Sequence, residues 1–140
     1  MNWIKPRTHR KVLEKLKHSA LNGEDFRNIM ELADQLYQEK AYTEKHCDLY
    51  DQLHWYIQTL DFAEQQSLMC MMYLGRNIDY DGYTIGTTDT YLRYVEETHF
   101  GHIRGQQCAE YVAGKCPLGK WLHHVADLIG GDENMIGGEY

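Results

Sequence analysis

A chain of 140 residues with 43% hydrophobic and 25% charged positions is the size of one ordinary domain and can bury a core without disulfide support. Its formal charge of −7 is uneven: Lys5, Arg7, Arg10, Lys11, Lys15 and Lys17 against Glu14 alone make residues 1–17 +5, leaving −12 for the remainder. An acidic body repels phosphate, which argues against nucleic-acid binding through it, and the charged, interrupted N-terminus argues against a secretory leader or a membrane span. The expectation is a soluble, cytoplasmic protein in which Cys47, Cys70, Cys108 and Cys116 are reduced thiols, because their irregular spacing gives no disulfide framework.

Taken along the chain, Thr8 is placed to cap a helix reaching about Leu21, with Val12, Leu13, Leu16 and Ala20 on one stripe and Gly23 as its stop. Trp3 and Ile4, ahead of Pro6, are expected to anchor it. The second helix carries Phe26, Ile29, Met30, Ala33, Leu36 and Tyr37 at three- and four-residue steps, opposite a charged face. After a polar stretch at 41–45, a third helix turns Tyr50, Leu53, Tyr56, Ile57 and Leu60 inward and ends near Asp61.

Asp61 followed by Glu64 reads as a capping box for a fourth helix, whose Leu68, Met69, Met71, Met72 and Leu74 are apolar nearly all round and mark it as the buried centre. Gly75 is read as its left-handed C-terminal residue, with Arg76 at the negative helix end and a surface loop following to Gly86. A fifth helix from about Thr88 to Thr98 buries Tyr91, Leu92 and Val95, and Gln106 to Ala113 form a short sixth. Pro117 suits the first turn of a seventh, which buries Leu118, Trp121, Leu122, Val125 and Ile129 before Gly130 and Gly131. Only residues 83–85 have strand character, too few for a sheet. The fold class is therefore all-α, a single bundle of six to seven short helices over 1–130, with 131–140 a disordered tail.

Three motifs invite a chemical reading. In RNIDYDGYTIGTTD, a calcium loop with Gly82 sixth places Asn77, Asp79 and Asp81 at the first, third and fifth positions and the Tyr83 carbonyl at the seventh. The twelfth position, which calls for a bidentate glutamate, falls on Thr88, and the ninth on Ile85, so an Asp-Gly turn in a surface loop is the favoured reading. Residues 114–120 match the glycine, four-residue, glycine-lysine spacing of a phosphate loop. However, Trp121 replaces the Ser or Thr and no strand precedes, so Gly114 is read as a helix stop.

His99, His102, Cys108, Cys116, His123 and His124 could ligate zinc, but only His99 and His102 have ligand spacing; Cys108 could alternatively be a nucleophile with a histidine base. Met30, Met69, Met71 and Met72 are read as core filler rather than as an adaptable binding surface.

The strings FRNIMELADQLYQEK, LHWYIQTLDFAEQQSLMCMMYLGR and CAEYVAGKCPLGKWLHHVADLI, separated by an acidic loop, resemble a bacterial family of uncharacterised proteins catalogued as domain of unknown function three-seven-seven-five. Leu60, Asp61, Glu64 and Gln65, then Leu74, Gly75 and Arg76, carry the resemblance, which spans 26–129 and leaves the basic helix of 1–22 outside. Asn77 departs from the glycine expected after the arginine. The resemblance implies an all-helical fold and brings no catalytic residue.

The function expected is a small non-catalytic interaction module with a protein partner and no cofactor. Its contact surface is placed at Arg76, Asp79, Asp81 and Trp121, together with the basic first helix. Alternatives are an acidic inhibitor or nucleic-acid mimic, suggested by the −12 body and eleven tyrosines, and a zinc or thiol enzyme using His99, His102, Cys108 and Cys116. The apolar stripe of the first helix must be covered, either by the chain's own body or by a second copy in a homodimer.

Overall fold

The computed structural model describes residues 4–138, and Trp3 lies outside them. Seven α-helices follow one another: α1 Pro6–Lys17, α2 Gly23–Gln38, α3 Glu44–Thr59, α4 Phe62–Asp81, α5 Ile85–Glu97, α6 Gln106–Ala113 and α7 Leu118–Leu128, with a 3-10 turn at Glu133–Met135. There is no strand among the described residues, and none of their helices is long and apolar enough to cross a membrane.

Local chemistry sets most of the helix starts. Asn22, Thr43, Asp61 and Thr84 each accept a hydrogen bond from the backbone N–H three residues on, satisfying a donor that the helix itself leaves unpaired. At α4 the box is complete: the Glu64 N–H donates to Asp61 Oδ1 at 2.8 Å and the Asp61 N–H donates to Glu64 Oε1 at 2.9 Å. α1 begins at Pro6, whose missing N–H costs nothing at that position, two residues before the expected Thr8 cap.

α4 is the centre of the bundle, with Leu68, Met69, Met71, Met72 and Leu74 all at most 1% exposed, so its methionines are core. α5 and α7 pack against it, α2 against α7, α3 against α2, and α6 against α3. α1 folds onto α5, burying Val12 and Leu16 completely. Val12 and Leu16 are thus covered by the chain's own body, while Leu13 is half-buried and Ala20 exposed.

Three expectations are corrected. Gly75 does not end α4. It lies inside the helix, where a Cβ would stand 1.8 Å from the Trp121 carbonyl oxygen, so the missing side chain lets the α7 backbone cross in direct contact. α4 continues to Asp81 and stops at Gly82, whose φ of 79° is the left-handed conformation that glycine adopts without strain. Gly23 opens α2 behind the Asn22 cap rather than closing α1, which ends at His18. The tail expected to be disordered is packed over 131–138: Ile136 is fully buried and the Gly137 N–H donates to the Leu16 carbonyl at 3.0 Å, clasping α1 from below.

Candidate functional site

The extension of α4 changes the acidic stretch that the sequence singles out. Asn77, Asp79 and Asp81 stand on a helix, about 100° apart per residue, and cannot converge as loop ligands on one calcium ion. Asp79 faces α7: its Oδ1 accepts from Lys120 Nζ and His124 Nε2, both at 3.1 Å, and these bonds, His124 first, hold its carboxyl below the ordinary range. Arg76 lies between the Tyr73 and Tyr80 rings, 5.3 and 5.4 Å from their centroids, and Tyr80 meets Trp121 edge-on. Trp121 is 5% exposed and its indole N–H has no acceptor among the described residues, so it belongs to the core rather than to a contact surface.

Helix packing therefore assembles Arg76, Asp79 and Trp121 into a clasp whose groups largely satisfy one another. Asp81 is not part of it, being exposed beside Thr84 and Thr87 on another face. A second clasp ties α7 to α2, where His123 Nε2 donates to Asp34 Oδ2 at 2.7 Å.

The His/Cys residues do not assemble. Cys108 is fully buried on the inner face of α6, Cys116 is exposed, His99 stacks on Tyr94 at 4.2 Å, and His102 is exposed in the turn before α6. No group of three or more His, Cys, Asp or Glu side chains among the described residues is placed to hold a metal ion. Burial pushes the Cys70 and Cys108 thiols up to about 12, the opposite of an activated nucleophile. The glycine-lysine run is the α6–α7 junction: Gly114 caps α6, as its helix-stop reading requires, and α7 begins at Leu118 with no strand before it.

A different site emerges where the C-terminal end of α2, the start of α3 and the α6–α7 junction meet. It is a groove of about 330 Å3, floored by Ala33, Leu36, Leu53 and Leu118. Its rim carries Tyr37, Tyr50, His46, Lys115 and Cys116. Two further depressions adjoin it, one sharing Ala41, His46 and Tyr50, the other sharing Tyr37 and Pro117. Tyr37 is 66% exposed, and Tyr42, in the α2–α3 loop at a positive φ of 69°, is 98% exposed. Rings displayed this openly beside an apolar groove are unusual on a surface that contacts only water.

The polar rim of the groove suits recognition better than bond-making chemistry. Glu39 is engaged by Lys45 at 3.1 Å, Lys115 Nζ lies 4.0 Å from the Tyr111 ring centroid, and no hydrogen bond joins His46 to Cys116 among the described residues. Sequence reasoning missed this groove because its walls come from three segments whose residues look individually like ordinary core edge. No family model, curated protein or solved structure matches the chain.

Proposed function

We propose that the protein is a small non-catalytic helical interaction module that takes an apolar side chain of a partner protein into the α2/α3/α6–α7 groove. The observation that carries this reading is the groove itself, about 330 Å3 with an apolar floor and a sparse polar rim, flanked by the exposed rings of Tyr37 and Tyr42. Lys115 and His46 on the rim suit an acidic residue next to the partner's apolar anchor. Membership of the family of uncharacterised proteins that the sequence resembles is part of the same proposal. Its signature residues serve the fold here: Asp61 and Glu64 cap α4, and the Gln65 amide joins Ile57 to Gly105 through the Ile57 carbonyl, the Gly105 carbonyl and the Gly105 N–H.

The test is affinity capture from the native host with the full chain and with Ala41→Trp, which fills the groove from an exposed loop position. The reading expects a protein retained by the wild type and by Asp81→Ala but lost with Ala41→Trp. Equal capture by all three chains, or none by any, removes it.

A second reading, an acidic surface that occupies a basic partner, is favoured by one ridge of α3. There Glu44, Asp48 and Asp51 are exposed in line with Trp55, itself 65% exposed. Capture abolished by Asp48→Lys with Asp51→Lys, and unaffected by Ala41→Trp, selects it.

A further inference from the structure

The solvent face of α1 is charged against its own helix. Lys5 at the N-cap and Arg7 in the first turn stand where the unpaired backbone N–H groups already concentrate positive charge, and no acidic residue occupies that turn. Arg7 also has like charges three and four residues on, at Arg10 and Lys11. Arg7, Arg10, Lys11 and Lys17 are all exposed and form no ion pair among the described residues, although residues 18–140 carry −12. Glu14, the one acid of the helix, is engaged by His18 at 3.3 Å. Water solvates such a face but leaves both conflicts in place, and local rules are broken in this way where a surface serves an outside partner.

The complementary row lies on α3. Glu44, Asp48 and Asp51 are exposed at four- and three-residue steps, so like charges again adjoin, and none of the three has an ion pair or hydrogen bond among the described residues. Trp55 continues the row and is 65% exposed. Within one chain the two rows do not meet, because α1 packs on α5 while α3 packs on α2 and α6.

We propose that the basic face of α1 docks on the α3 ridge of a second copy of this chain. With the two helices antiparallel, Lys17 meets Glu44 and Arg10 meets Asp51, both pairs of positions being seven residues apart, ~10.5 Å along a helix. Arg7 then reaches the Trp55 ring, whose π face attracts a guanidinium. A phosphate surface is the poorer match, since it extends past α1 and meets the acidic body, whereas the ridge is as long as the row it faces. This docking rests on the ridge of the second reading above, whose basic partner it identifies, and it uses no residue lining the groove.

Sedimentation velocity on the purified full chain tests it, together with two charge-reversed chains, Arg7→Glu with Arg10→Glu and Asp48→Lys with Asp51→Lys. The wild type should associate reversibly with a dissociation constant on the order of 100 μM, weakening about tenfold as salt rises from ~50 to ~500 mM. Each reversed chain alone should be monomeric, and an equimolar mixture of the two should associate again, because each then faces the charge it lacks in its own copies. All four positions are exposed and Arg7→Glu suits the helix start, so both chains should melt within a few degrees of wild type. A wild type monomeric at ~1 mM in low salt, association indifferent to salt or retained by either reversed chain, or a mixture that stays monomeric overturns the proposal. A monomeric wild type that binds phosphatidylserine vesicles or duplex DNA through Arg7 and Arg10 assigns α1 to that surface instead. A monomer that captures a host protein through Asp48 and Asp51 keeps the second reading and overturns self-docking.

Discussion

Gly75→Ala is the sharpest test of the packing. The added Cβ would stand 1.8 Å from the Trp121 carbonyl oxygen, whereas ordinary contact begins at 3.4 Å. α4 and α7 would have to separate by about 1.6 Å, and the obstacle is backbone, which cannot swing aside as a flexible side chain would. Overpacking at the upper end of the usual range costs ~3 kcal/mol, and replacing a mid-helix glycine by alanine returns ~1 kcal/mol of helix propensity. The net loss of ~2 kcal/mol lowers the melting temperature by roughly 8 °C for a domain of this size. Thermal unfolding followed by far-ultraviolet circular dichroism measures it, and Gly86→Ala is the control. Gly86 lies in the first turn of α5 with nothing nearer to an added Cβ than Thr84 Oγ1 at 3.8 Å, so the same substitution there should be neutral or stabilising. A Gly75→Ala protein as stable as wild type would refute the close crossing.

Removing the α4 capping box by Asp61→Ala should cost about 1 kcal/mol, seen as a few degrees in the same melt. Of the four thiols, Cys47 and Cys116 should react rapidly with an aromatic disulfide reagent, while Cys70 and Cys108 react only after denaturant is added; four fast thiols would contradict the burial. Asp79, whose native pKa is depressed by His124 and Lys120, contributes stability that is complete above its unfolded value near 3.8 and is lost as pH falls through the lower native value. Asp79→Asn should therefore melt below wild type at neutral pH, with the gap closing on acidification. A gap that stays constant with pH would mean the carboxylate is not the source.

The elements that sequence reasoning located best are those whose signals are local. The Asp61/Glu64 box, the apolar steps of α2 and the Gly114 break before α7 each lie within a few residues of the boundary they set. Gly75 failed as a signal because a glycine inside an apolar helix reads the same whether it ends the helix or admits a neighbour, and the neighbour, Trp121, is 46 residues away. Ile136 failed similarly, as one apolar residue among glycines and polar groups whose partner surface is the α1–α2 junction.

The candidate site was the least legible part. Asp79 was visible as a carboxylate, but its partners His124 and Lys120 are on another helix, and their presence turns a supposed ligand into a clasp. The groove has no sequence signature of its own, since its floor and its rim are each assembled from three segments far apart in the chain.

The most direct test of the groove as a docking site is site-specific photocrosslinking in the native host, with a benzophenone side chain at Ala41 on the groove and, as a control, at Ile85, which is 48% exposed at the start of α5. The reading predicts a discrete protein adduct from position 41 that is absent from position 85 and lost when Leu36→Asp puts a charge in the groove floor of a chain shown to remain folded. No adduct from position 41, or the same adducts from both positions, would contradict it.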